Sequence, residues 1–264
     1  MTGSHETILT EMAGPGLLKV TLNRPQVGNA KNTQMGRELL ELWSGLIAEP
    51  GEVRAVVLTG AGERIFCAGG DLKERHGMTQ AQWQAQHEIF ERSYWALLDC
   101  PVPVIAAVNG HAYGGGLETV LACDFAYAAR TARFALTEVT LGIMPGAGGT
   151  QLLPRAAGER RAKEIILTGR PFNAAEALEW GVVNRVCEPD RLMTEALETA
   201  AAICANAPLS VRQAKKSMHV GLQLDLKSAL LFEIEAYNRL VPTEDRLEGV
   251  AAFNEKRKPN FKGR

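Results

Sequence analysis

The sequence predicts an α/β fold, and three observations carry that prediction. Short runs of apolar and β-branched residues, each closed by Gly, Asn or Pro, recur through the first two-thirds of the chain. Longer segments between them place apolar residues at helical spacing. The chain has 264 residues, 46% of them hydrophobic, enough for one large domain or two small ones. Strand-then-helix alternation of this kind belongs to α/β architectures.

Taken in order, residues 17–22 read as a strand ended by Asn23-Arg24-Pro25. Met35, Leu39, Leu42, Trp43 and Leu46 then recur at helical spacing. Residues 55–59 form a β-branched run closed by Gly60, the pattern of a strand buried on both faces. Thr79 with Gln82 makes a capping box for a helix through about Leu98. Residues 103–108 are another buried strand, closed by Asn109-Gly110, and 125–128 a shorter one. After about Asp190, Gly and Pro thin out and helical spacing dominates. Asp190 is placed to cap one helix, Pro208 precedes a second, and 222–240 reads as a third. Thr243 starts a last helix, with Glu244 and Asp245 suited to its first turn. The chain therefore divides into an α/β core, 1–190, and a helical part, 191–264. It shows no repeat of fixed period and no low-complexity tract.

Composition excludes several classes. A formal net charge of -1 argues against a dedicated nucleic-acid binder. The five cysteines are an odd number, widely spaced and without a C-x-x-C pair, so they suggest neither a disulfide framework nor a zinc site. They fit thiols in a reducing compartment. No apolar run approaches the roughly 18 residues of a membrane span. Glu6 and Glu11 lie where a signal peptide is basic and then apolar. A soluble, cytoplasmic protein without a metal site is expected.

Four segments put Gly and polar groups where a packed core needs neither: Cys67-Ala68-Gly69-Gly70-Asp71-Leu72-Lys73, Gly114-Gly115-Gly116-Leu117-Glu118, residues 136–142, and Pro145-Gly146-Ala147-Gly148-Gly149-Thr150. Gly114-Gly115-Gly116 follows a strand and precedes the helix-compatible run 117–123. Glycines there admit a ligand close to the backbone, and the helix start offers free N–H groups suited to an oxyanion. Three glycines alone fit a tight turn with close helix–strand packing better than a ligand site. Gly69-Gly70 makes a second such turn, and two N–H groups from different turns converging on one oxygen form an oxyanion hole. Glu118 and Glu138 sit among apolar neighbours, where a carboxylate is costly unless bonded. Two such groups at one centre can divide acid and base roles. The alternative is that each caps backbone or pairs with an arginine such as Arg133 or Arg155. No P-loop, dinucleotide fingerprint, zinc-type histidine pair or G-x-S-x-G elbow is present. His111, just before the glycine run, reads as loop filler.

With those residues in place, the sequence resembles the enoyl-CoA hydratase/isomerase (crotonase) family over essentially its whole length. The match rests on Leu22-Asn23-Arg24-Pro25, the segment 66–73, the strand 103–110, Gly114-Gly115-Gly116-Leu117-Glu118, the segment 141–150, and Phe253-Asn254-Glu255-Lys256-Arg257. The run 66–75 and the helices after Ala207 look most like the branch that includes 3-methylglutaconyl-CoA hydratase. The resemblance implies a spiral of β-β-α units followed by helices that assemble a trimer or a dimer of trimers. It implies hydration of an enoyl thioester of coenzyme A, in fatty-acid or branched-chain amino-acid breakdown, with no cofactor beyond the coenzyme A of the substrate. The N–H groups of Gly70 and Gly115 would hold the thioester oxygen. Glu118 would deprotonate the attacking water and Glu138 would exchange a proton at Cα. Ala68, Asp71, Leu72 and Lys73 would line the coenzyme A channel, and Phe253 and Lys256 would reach its nucleotide end, commonly in a neighbouring subunit. This sequence departs from the family at Gln26, where a basic residue is common, and at Lys31, where an apolar one is. It departs again at Tyr113, Thr119 and Thr137, near the acyl pocket. An isomerase that shifts the double bond is the alternative activity. An RNA-binding relative, suggested by the five basic residues among the last ten, is the alternative class.

Overall fold

The computed structural model describes residues 5–264. The chain opens with the antiparallel hairpin β1 (Ile8–Gly14) and β2 (Leu17–Leu22), followed by helix α1 (Thr33–Ala48). The side chain of Asn32 caps α1 by accepting the N–H of Met35. A three-part step then repeats. The first step is β3 (Ala55–Gly60), β4 (Ile65–Cys67) and helices α2 (Leu72–Arg75) and α3 (Gln80–Leu98). The second is β5 (Val104–Val108), β6 (His111–Tyr113) and α4 (Gly115–Ala122). The third is β7 (Phe125–Ala129), β8 (Arg133–Ala135) and the pair α5 (Gly149–Ala157) and α6 (Glu159–Thr168). Strand β9 (Phe172–Asn173), helix α7 (Ala174–Glu179) and strand β10 (Arg185–Cys187) close this part.

Each step gives one strand to each of two sheets. The larger runs β1-β2-β3-β5-β7-β10 and the smaller β4-β6-β8-β9. Within a sheet, successive steps pair in parallel, so the chain winds as a spiral of β-β-α units. Strands β3 and β5 are buried along their whole length because both faces of the large sheet are covered. Val56, Leu58, Val104 and Ala106 face the main core with Trp43, Phe66 and Phe134. Ala55, Val57, Ile105 and Ala107 face helix α8 (Leu192–Cys204) through Leu192, Ala196 and Ala200. The division at residue 190 thus falls just before a helix that covers the sheet.

Helices α9 (Pro208–Gly221), α10 (Leu226–Asn238) and α11 (Glu244–Asn254) follow. They leave Leu226, Leu231, Ile234, Tyr237 and Phe253 exposed. Two sequence expectations need correction here. Asp190 does not cap α8. Residue Arg191 occupies the cap without a side-chain bond, and the carbonyl of Glu188 takes the N–H groups of Arg191 and Leu192 instead. The third C-terminal helix starts at Leu226 rather than 222, because the Asp225 side chain caps it on the N–H of Ser228, while Leu222 ends the preceding helix. The capping box of Thr79 and Gln82 and the cap by Thr243 are present. Among the described residues no helix is long and apolar enough to cross a membrane.

Candidate active site

Strands β4, β6 and β8 are parallel neighbours, so their C-terminal ends lie along one edge of the small sheet. The chain leaves that edge through Gly69-Gly70, through Gly114-Gly115, and through a 3-10 turn, Glu138–Leu141. Three of the four glycine- or glutamate-bearing segments are therefore brought together by topology alone. The first two turns pack against each other. Gly69 and Gly114 have φ of 95° and 51°, a region that side chains avoid. A methyl at Gly69 would stand 3.0 Å from the Tyr113 carbonyl oxygen, and one at Gly115 would stand 3.9 Å from the Gly70 nitrogen.

Gly115 is the first residue of α4, so its N–H has no acceptor within the helix. Among the described residues neither this N–H nor that of Gly70 donates to the protein. Both glycines line a cavity of about 590 Å³. Two free donors converge there with the positive end of a helix, an environment that stabilises negative charge on a bound oxygen.

Glu118 lies one turn into α4 and is 3% exposed. Its Oε1 accepts the N–H groups of Ala147 at 2.8 Å and Gly149 at 2.9 Å, where the fourth glycine segment enters α5. Its Oε2 lies on the Gly115 side, 3.8 Å from where a methyl there would stand. Glu138 opens the 3-10 turn, and its buried Oε2 has no hydrogen-bond partner among the described residues. Burial pushes its carboxyl up to about 7, with the nearby charge of Glu118 adding to the effect and its own backbone N–H opposing it. Glu138 therefore holds a proton near neutrality while Glu118 is braced by two backbone donors. Neither forms an ion pair with Arg133 or Arg155 among the described residues, and Arg155 bonds the Gln151 carbonyl instead.

Ala68 and Leu72 line the same cavity, as do Gly70, Gly115, Glu118 and Glu138. Asp71 does not. Its carboxylate turns away to pair with Arg24 at 2.8 Å and caps α2 by accepting the N–H groups of Lys73 and Glu74. Burial alone would raise the Asp71 carboxyl, but the Arg24 hydrogen bond and charge and the helix N–H groups outweigh it and hold it low. Lys73 is exposed and outside the cavity wall, and Phe253 and Lys256 lie on the C-terminal helical part and do not line this chain's own cavity. Thr119 and Thr137 line the cavity and Tyr113 does not; His111 stacks on Tyr113, with ring centroids 5.6 Å apart.

Sequence reasoning missed one wall. Trp83, His87, Phe90, Tyr94 and Leu97 project from α3 into the cavity. The Arg75 guanidinium lies 4.4 Å from the Trp83 ring centroid and bonds Gln86 through Nε. Their three- and four-residue spacing was a usable signal, but spacing does not say which neighbour a helix faces. Lys31, read only as a departure, also lines the cavity.

Comparison with known proteins shows the family and the fold. Residues 13–264 match the family model for enoyl-CoA hydratase/isomerase. The chain is 44% identical over 246 residues to the short-chain-enoyl-CoA hydratase of Clostridium acetobutylicum, a match spanning 93% of this chain and 94% of that protein. It is 40% identical over 269 residues to enoyl-CoA hydratase domain-containing protein 2, mitochondrial, of Mus musculus, spanning 100% of this chain and 90% of that one. The crystal structure of an enoyl-CoA hydratase from Bacillus anthracis superposes with a TM-score of 0.96 at 45% identity, covering 98% of this chain and 100% of that one.

Proposed function

The chain belongs to the enoyl-CoA hydratase/isomerase family, and from that premise we propose that it is a hydratase, adding water across the 2,3 double bond of an enoyl-CoA thioester. The observation that carries this reading is a pair of carboxyl groups with different surroundings on one cavity. Glu118 has one oxygen tied to two N–H groups and the other toward Gly115. Glu138 keeps its proton to about pH 7.

The thioester oxygen fits between the N–H groups of Gly70 and Gly115. As Glu118 takes a proton from water, the hydroxide oxygen bonds to Cβ and the electron pair of the double bond moves toward the thioester oxygen. The two donors stabilise that charge. Glu138 then gives its proton to Cα, and the proton on Glu118 restores the pair. One water is consumed and no electrons are exchanged, so the reaction calls for no cofactor beyond the coenzyme A that the substrate carries. Moving a double bond needs only one carboxyl to carry a proton from Cγ to Cα, so the second carboxyl favours hydration.

Incubation with a short enoyl-CoA in 18-oxygen water tests this. Hydration yields a product heavier by one labelled water, and a double-bond shift leaves the mass unchanged. The exposed apolar side chains of α9–α11 support assembly into a trimer or a dimer of trimers, in which Phe253 and Lys256 would serve a neighbour's site; sedimentation analysis would measure it. Five free, buried cysteines fit a reducing compartment such as the cytoplasm.

A further inference from the structure

The two turns that carry Gly70 and Gly115 come from different steps of the spiral, and a single residue ties them together. Lys31 holds the first turn by its backbone. Its N–H donates to the Gly69 carbonyl at 2.7 Å, and its carbonyl accepts the N–H of Asp71 at 2.9 Å, so Gly70 is bracketed on both sides. Lys31 holds the second turn by its side chain. Its ammonium donates to the Gly115 carbonyl at 3.2 Å and to the Thr119 hydroxyl. The Thr119 hydroxyl in turn donates to the same carbonyl at 2.8 Å, which closes a triangle within the first turn of α4. The ammonium's partners are a carbonyl and a hydroxyl, and Lys31 lines the same cavity as Gly70 and Gly115.

We propose that Lys31, oriented by Thr119, is a positioning residue for the oxyanion site: it sets the spacing of the Gly70 and Gly115 donors and adds a fixed positive charge beside them. This inference rests on the oxyanion reading given under Proposed function. The geometry explains why a costly lysine occupies this place. An apolar side chain would fill the space, but it would leave the link between the turns to packing alone. Donors preset at the right separation lose nothing to rearrangement as charge builds up, and a displacement of about 1 Å can cost on the order of 100-fold in rate.

The test uses Lys31→Met, which keeps the stem and removes the ammonium, and Thr119→Val, which removes the orienting hydroxyl. A saturated acyl-CoA carrying a 13-carbon thioester carbonyl is bound to each protein and its carbonyl stretch read by difference infrared spectroscopy. The wild type is expected to lower the stretch through the two donors. Lys31→Met should lower it less, and its hydration kcat should fall about 10- to 100-fold with KM changed far less. Thr119→Val should lie between, and the double variant should match Lys31→Met, because the two act as one unit. Equal carbonyl shifts and equal kcat in wild type and Lys31→Met would overturn the proposal, as would a fall in thermal stability with the shift intact. Thr119→Val carries the test if Lys31→Met does not fold. A wild-type protein that leaves the carbonyl unshifted would instead refute the oxyanion reading itself.

Discussion

Glu118 Oε1 accepts the backbone N–H of Gly149 at 2.9 Å, across 31 positions of sequence. With the Ala147 N–H at 2.8 Å, this bond occupies one carboxylate oxygen and aims the other. Glu118→Gln should keep the brace, since an amide oxygen accepts the same two bonds, and should lose the base. Turnover is expected to fall roughly 10²–10⁴-fold, with the thermal midpoint near that of wild type. Steady-state hydration and thermal denaturation of the same preparation check both halves. A variant that retains most of its turnover would remove Glu118 from the chemistry.

Glu138→Gln gives a prediction with a sign in pH. The folded protein holds the Glu138 proton to about pH 7, whereas an unfolded glutamate releases it near about 4.3. Between those values the unfolded chain gives up the proton and the folded one keeps it. The destabilisation from this carboxyl therefore grows as pH rises and is complete above pH 7. The amide carries no such burden. Relative to wild type, Glu138→Gln should gain about 1–2 kcal/mol at pH 8, a figure reduced for partial exposure, and much less at pH 5. Its hydration rate should fall roughly 10²–10⁴-fold. Urea denaturation at the two pH values decides it, and a gain larger at pH 5 would contradict the assigned environment.

Those two carboxyls show what was readable from sequence. Strands β2, β3, β5 and β7 announce themselves by apolar runs long enough to have a pattern. Strands β4, β6, β8, β9 and β10 have only two or three residues, too few for any period, and they exist because a neighbouring step supplies the partner. The glycine turns stood out because close backbone approach forbids a side chain at Gly69 and Gly116, a constraint that composition records directly. The direction of Asp71 was not readable. It adjoins Gly70 in sequence, yet its carboxylate answers to Arg24, which lies 47 positions away.

That ion pair sets a third expectation. The Arg24 and Asp71 side chains are only 17% and 10% exposed. Removing one partner of such a pair strands the other charge, at a cost of about 3–5 kcal/mol. Asp71→Ala also uncaps α2. Denaturant unfolding should show a loss of about that size, with Arg24→Met smaller because Asp71 keeps its two helix N–H bonds. Comparable small losses in both variants would mean that the pair is solvated.

Adjacent glycines should respond in opposite ways to one added methyl. At Gly116 it would stand 2.1 Å from the Cys67 carbonyl oxygen, part of β4 and unable to yield. At Gly115 its nearest neighbours would be Glu118 Oε2 and the Gly69 Cα, both at 3.8 Å, ordinary contacts. Gly116→Ala should therefore lose at least about 1–3 kcal/mol of stability. Gly115→Ala should fold normally and lose turnover, because its methyl enters the space assigned to the thioester oxygen. Soluble yield, thermal midpoint and kcat separate the two, and a normally stable Gly116→Ala would contradict the packing described.

The donors themselves are best tested without changing the protein. Gly70→Pro or Gly115→Pro would remove an N–H, but each also fixes the backbone, and the second disturbs the start of α4. A ligand change avoids this. Replacing the thioester carbonyl of a bound coenzyme A analogue by a methylene leaves the N–H groups of Gly70 and Gly115 facing an apolar group. Neither has another acceptor among the described residues, so the full cost of burying unsatisfied donors should appear in the affinity, about 1–3 kcal/mol or roughly 5- to 150-fold in Kd. Calorimetric titration of the matched pair measures it. Equal affinities would mean that the two turns do not grip the carbonyl, and the hydration mechanism built on them would fall whatever the glutamates do.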